Sequence, residues 1–261
     1  VGIAEQNMIG VAAGLASENF RVLTTTFAPF QTMRCLEQIK VNLGYMKQNV
    51  CMVGIASGLA LGTLGYTHCC IEDIGVLRSI PGINIISPAD SLETVKALEG
   101  SIKSNKPTYI RLTGVANNPI IYDEDYDFQI GKSIKLKDGE DVTIFSCGSM
   151  VFESLEVAKI LEEKNISTCV INMHTIKPID RESILGARKS KLIVTIEEHN
   201  IIGGLGNAVA EIKSTEKNYP KQLFFGINDK YSKGGSYNFL KIKYRLSANI
   251  IVNDILSEIK K

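Results

Sequence analysis
Two hydrophobic rhythms alternate along the 261 residues, helical spacing and short β-branched runs. Residues 5–18 place the small residues Gly10, Ala12, Ala13, Gly14 and Ala16 at helical spacing, and 21–26 form a β-branched strand. A helix is predicted over 30–43, a buried strand over 50–56, a helix over 72–79 and a short strand at Asn84-Ile-Ile-Ser87. Asp90-Ser91-Leu92-Glu93 opens the next helix with capping-box spacing after Pro88, and 107–112 is a further strand.

The rhythm breaks over 114–130, where Gly114, Asn117-Asn118-Pro119 and the acidic run Asp123-Glu124-Asp125 cluster. Beyond it, 132–137 and 141–145 flank Asp138-Gly139, a hairpin signal. Helices at 150–163, 180–187 and 204–213 then alternate with strands at 167–172, 191–197 and 223–227, and 236–260 reads as helical. The fold class is therefore α/β: two domains, each a mostly parallel sheet flanked by helices. The expected limits are 1–115, a linker at 116–130, and 131–261.

Net charge is +1 with mixed signs, which points to neither nucleic acid nor an acidic membrane surface. No apolar run approaches the roughly 18 residues of a bilayer span. Six cysteines without a Cys-x-x-Cys pair, several in apolar runs, suit a reducing cytoplasm. His68-Cys69-Cys70 has the ligand types of a metal site, but neighbouring residues rarely reach one ion and no second cluster completes it, so no metal ligand is expected from this chain. Gly203-Gly204-Leu205-Gly206 follows a strand and precedes a helix, which in isolation suggests phosphate on a helix N-terminus; Val209 breaks the G-x-G-x-x-G pattern.

The chain opens without Met on Val1-Gly2-Ile3-Ala4-Glu5-Gln6, and a piece of a longer polypeptide is expected. This opening resembles the pyrimidine-binding domain of the transketolases, with a second anchor at Thr195-Ile-Glu197-Glu198-His199-Asn200, which is similar to their C-terminal domain. The resemblance spans essentially the whole chain. It implies a pyrimidine-binding domain over 1–115, incomplete at its start, and a transketolase C-terminal domain over 131–261. It also implies thiamine diphosphate as cofactor and transfer of a two-carbon ketol unit from a ketose to an aldehyde. By itself, Glu5 reads as a first-turn carboxylate at a helix N-terminus. The resemblance makes it the residue that bonds the cofactor's pyrimidine nitrogen and activates it, and makes His68, in Gly65-Tyr66-Thr67-His68, a proton-shuttling group at the substrate. Phe30 maps to the ring that stacks on the aminopyrimidine, with Phe27 and Met33 beside it; without the resemblance the two Phe residues are core aromatics. Arg34, one turn after Phe30, and Arg111 are candidate substrate contacts, while Glu198, His199 and His174 match structural or interfacial positions.

Three positions depart from the family pattern. Leu64 stands where transketolases place an aspartate for a substrate hydroxyl, Ala56 where many place a histidine near the acceptor phosphate, and Gly114 where an arginine clamps the sugar phosphate. The usual pentose phosphates are therefore not expected, and the expected substrate is a non-standard sugar, non-phosphorylated, held differently or nucleotide-linked. No Gly-Asp-Gly motif is present to hold the diphosphate through Mg2+ or Ca2+. The resemblance thus implies a partner, an N-terminal transketolase component carrying the diphosphate-binding domain, in an α2β2 assembly. Two alternatives stand beside this reading: a pyruvate-using relative similar to deoxyxylulose-phosphate synthase or the pyruvate dehydrogenase β subunit, and a degenerate subunit without catalysis.

Overall fold
The computed structural model describes residues 1–114, 118–231 and 233–260. Two five-stranded sheets form its centre. The first contains β1 (Val22–Phe27), β2 (Val50–Ser57), β3 (Asn84–Ile86) and β4 (Thr108–Thr113), all parallel in the order β1-β2-β4-β3. The second contains β5 (Ile134–Lys137), β6 (Val142–Ser146), β7 (Thr168–Asn172), β9 (Leu192–Asn200) and β10 (Lys221–Ile227), in the order β10-β9-β6-β7-β5. One strand crosses over: β8 (Thr175–Lys177), from the second half of the sequence, adds antiparallel to β3 and completes the first sheet. The strand cores are Val, Ile, Met and aromatic residues buried on both faces, as parallel sheets between helices require.

The helices Glu5–Ser17, Asp73–Arg78 and Ser91–Lys103 accompany the first sheet, and Met150–Glu162, Arg181–Gly186 and Leu205–Lys213 the second. Asp90 caps the third of these by accepting from the Glu93 amide at 2.9 Å, while Glu93 Oε2 accepts from Ala89 N at 2.6 Å. No described helix is long and apolar enough to cross a membrane.

Three local expectations are corrected. The helix expected over 30–43 is broken into Ala28–Gln31, a 3-10 turn Met33–Cys35, a short turn Leu36–Gln38 and a π turn Ile39–Tyr45. Thr32 causes the first break: its hydroxyl donates back to Ala28 O at 2.7 Å and its backbone leaves the helical path at φ −112°, ψ −77°. The hairpin expected at Asp138-Gly139 does not form. β5 pairs antiparallel with β7, and β6 pairs parallel with the other edge of β7. Five buried residue pairs between β6 and β7 outweigh the local turn signal. The C-terminal helix is two, Tyr237–Lys243 and Ala248–Ile259, parted at Arg245 with φ +63°. The linker expected at 116–130 starts outside the described residues. Its described part, 118–130, has no helix or strand and is tied down by Asp90, whose carboxylate accepts from the amides of Ile121 and Tyr122, and by Glu93, which accepts from Tyr126 Oη at 2.7 Å.

Candidate active site
Parallel α/β sheets gather ligands beyond the carboxyl ends of their strands, because the loops and helix N-termini meet there. Phe27 ends β1, and the loop from Gly58 to His68 follows β2. Glu5 is the first residue of its helix, and Ala4 before it offers no side-chain cap. The carboxylate therefore lies beside uncapped amides, where negative charge is favoured. Its side chain is 9% exposed, and Arg34 Nη1 donates to Oε2 at 2.8 Å. Burial alone would raise its pKa; the Arg34 hydrogen bond, the backbone amide and the guanidinium charge together bring it below the usual range.

The aromatic groups follow. The Phe30 ring lies 6.4 Å from Phe27 and 5.5 Å from His68, edge to face, and Phe27 is 6.3 Å from His68. The Arg34 guanidinium carbon sits 4.0 Å over the Phe30 ring, a cation–π contact. His68 Nδ1 is 2.9 Å from Thr67 Oγ1. Glu5, Arg34, Phe30, His68 and Phe27 are thus one continuous cluster, with both rings and the imidazole half-buried and open to a ligand. Met33 is exposed beside Arg34, lining a shallow cleft with Gln6, Gln38 and Lys40. Leu64, on the 3-10 turn Gly62–Leu64, projects into solvent at 56% exposure.

Arg111, expected at the substrate, is elsewhere. It is 1% exposed and locked in the core. Its Nε donates to both carboxylate oxygens of Asp73 at 3.0 and 2.8 Å, and Nη2 donates to Cys70 O at 3.2 Å and Glu198 O at 2.9 Å. Two hydroxyls donate to Asp73 Oδ2, Tyr109 Oη at 2.7 Å and Ser57 Oγ at 3.3 Å. Burial opposes both charges, and their mutual attraction prevails: the Asp73 carboxyl is held below its usual range and the Arg111 pKa above its own. This guanidinium holds β4 to the second sheet rather than reaching a ligand. Asp73 carried no sequence signal, since one carboxylate in a first helical turn reads as surface.

The transketolase pyrimidine-binding domain family matches residues 1–115, and the transketolase C-terminal domain family matches residues 131–232. The chain is 37% identical over 261 residues to a subunit of the apulose-4-phosphate transketolase of Phocaeicola vulgatus, a match covering all of this chain and 83% of that protein. This chain belongs to the transketolase family. It is also 38% identical over 255 residues to the 6-deoxy-6-sulfo-D-fructose transketolase subunit of a Clostridium species, covering 97% of this chain and 78% of the relative. Among solved structures, a split-gene transketolase in an inactive β4 tetramer superposes with a TM-score of 0.88 at 36% identity, over 98% of this chain and 82% of that one.

The two sheets meet behind the site. Glu198, on β9, accepts from Leu59 N, Ser149 Oγ and Tyr237 Oη, each at 2.6 Å. It lies so close to Gly58 that a Cβ there would be 2.2 Å from Oε1, and Gly58 itself has φ +68°, so the residue opening the His68 loop must be glycine. Glu198 thereby braces that loop from the second sheet. At the Gly-Gly-Leu-Gly segment the helix N-terminus is already filled: Glu197 accepts from Leu205 N at 2.6 Å and Gly206 N at 2.8 Å. The acceptor there is the protein's own Glu197 carboxyl group. The three departures from the family pattern leave no charge at their positions: Leu64 is exposed, Ala56 sits at φ +54° beside the β2 bulge, and Gly114 at φ +80°.

The donor set suits one end of thiamine diphosphate. A nearly buried carboxylate beside a half-exposed aromatic face matches a flat, N–H-donating aminopyrimidine. Among the described residues, no three His, Cys, Asp or Glu side chains converge as a metal shell for the diphosphate end.

Proposed function
We propose that this chain is the C-terminal component of a split transketolase that moves a two-carbon ketol unit from a ketose to an aldehyde. Its partner is an N-terminal component that carries the diphosphate-binding domain and holds Mg2+ or Ca2+, in an α2β2 assembly. The observation that carries the reading is the cluster in which Arg34 joins the Glu5 carboxylate to the Phe30 ring, with His68 5.5 Å from that ring. When bound, thiamine diphosphate supplies the acidic carbon and the electron sink for cleaving a ketose beside its carbonyl. Glu5 accepts the hydrogen bond of the pyrimidine nitrogen, and Phe30 with Phe27 and Met33 frames the ring. His68 holds or gives a proton at a substrate oxygen near neutral pH.

The sugar is a non-standard one. Leu64, Ala56 and Gly114 offer no partner for the hydroxyl and phosphate groups of the usual pentose phosphates. Two relatives bear names of unusual sugars, apulose-4-phosphate and 6-deoxy-6-sulfo-D-fructose, which supports a departure of this kind. A cytoplasmic location belongs to the same reading and is supported by six free, buried cysteines.

Native mass spectrometry of the full-length chain purified from its own cells tests the assembly. A heterotetramer carrying thiamine diphosphate and metal is expected, with ketol donors turned over in preference to pyruvate. Glu5→Gln should leave the assembly intact and lower turnover by about a hundredfold or more. A cofactor-free homodimer, undiminished Glu5→Gln turnover, or ordinary affinity for ribose 5-phosphate and xylulose 5-phosphate would each refute the corresponding part.

A further inference from the structure
We propose that Arg34 is a positioning residue for the cofactor-activating carboxylate: it pins Glu5 by Oε2 and backs the Phe30 ring, so that Oε1 is presented to the pyrimidine nitrogen. This rests on the transketolase reading above. Arg34 touches both groups assigned to the aminopyrimidine, through a 2.8 Å hydrogen bond to Glu5 Oε2 and a 4.0 Å stack on Phe30. It reaches them because the Thr32 break turns the chain into the 3-10 turn Met33–Cys35, which faces the start of the Glu5–Ser17 helix. A planar guanidinium can bond a carboxylate edge-on and lie flat on a ring at once; an ammonium cannot.

The surrounding groups leave Arg34 this role. Cys35 is fully buried, with its Sγ donating to Phe30 O at 3.1 Å. Burial pushes its thiol up to about 11 and the Glu5 charge adds to that, so it stays neutral and does not compete for the guanidinium. Glu37 and Lys40 line the neighbouring cleft, where Glu37 accepts from Gln38 rather than meeting Glu5. The His68 imidazole reaches the cluster through the Phe30 ring, 5.5 Å away, with its Nδ1 turned to Thr67. Strand β1 brings no ionisable side chain, and β2 only the buried Cys51, whose thiol burial also pushes up. Without Arg34 the dominant influence on Glu5 is burial, which favours the protonated acid and spoils the acceptor.

The test is calorimetric binding of thiamine diphosphate with Mg2+ to the reconstituted two-component assembly, over roughly pH 5 to 8. Arg34→Met should bind about tenfold more weakly near neutrality, with the deficit growing as pH falls. Arg34→Lys keeps the charge and should restore the wild-type pH profile while recovering only part of the affinity. The Arg34 side chain is 40% exposed, so both variants are expected to melt close to wild type. Unchanged affinity and pH profile in Arg34→Met overturns the assignment. So does tighter binding, which would make Arg34 a competitor for the carboxylate. A wild-type assembly that binds no cofactor overturns the transketolase reading itself.

Discussion
Replacing Arg111 with Met tests the claim that this cation is structural. The substitution leaves Asp73, which is fully buried, as a charge without its counter-ion. Removing one partner of a buried ion pair costs about 3–5 kcal/mol. The Tyr109 and Ser57 hydroxyls at 2.7 and 3.3 Å still bond the carboxylate and keep the loss from the top of that range. The Glu198 carbonyl loses its 2.9 Å donor, adding about 1 kcal/mol, whereas Cys70 O keeps the Gly58 amide at 2.7 Å. The expected net loss is about 4 kcal/mol, a large part of the roughly 5–15 kcal/mol that holds a domain folded. Asp73→Asn in the same chain removes the stranded charge and should recover about half of the loss, a coupling of the size seen for residues in contact. Urea unfolding followed by far-UV circular dichroism measures both, since the chain has no Trp. Substrate KM should stay unchanged in any R111M protein that folds. A loss under about 1 kcal/mol together with a raised KM would refute the reasoning and return Arg111 to the substrate.

Two further outcomes follow from the buried groups. His174 and His199 are held neutral by burial, each with its pKa lowered from 6.5 to about 4, so their contribution is complete above 6.5 and is lost as pH falls toward 4. Glu197 works oppositely: burial raises it from 4.5 to about 7, so its penalty is full above 7 and vanishes below 4.5. Glu197→Gln should therefore steepen the acid loss of stability between those limits, and urea midpoints with an unchanged pH slope would contradict the offset. Gly139→Ala should destabilise by about 1–3 kcal/mol, because the added Cβ would meet the backbone of Thr168 and Cys169 at 2.2–2.3 Å. Thermal melting decides it; a neutral effect would contradict the close packing of Gly139 against Thr168 and Cys169.

Periodicity was enough to place most elements. The helix at Glu5–Ser17, the strand Val50–Ser57 and the cap at Asp90 follow from apolar spacing and local hydrogen-bonding chemistry, which act over a few residues and so are written in the sequence. Glu5, Phe30 and His68 stand out as candidates in the sequence because each sits in a short motif. Their convergence does not, since it depends on β1 and β2 lying side by side. The same limit explains the misreadings. Asp138-Gly139 is a sound turn signal, overridden when β7 inserts between β5 and β6. Arg111 looks like any cation at a strand end until the fold seals it against Asp73. Local propensity is a matter of about 1 kcal/mol per residue, whereas burying a charge or pairing a central strand commits several. The alternating elements and the motif residues are therefore properties of short stretches of chain. Strand order, the placing of β8 in the other sheet, and the choice of which charges are sealed in arise only when the whole chain packs.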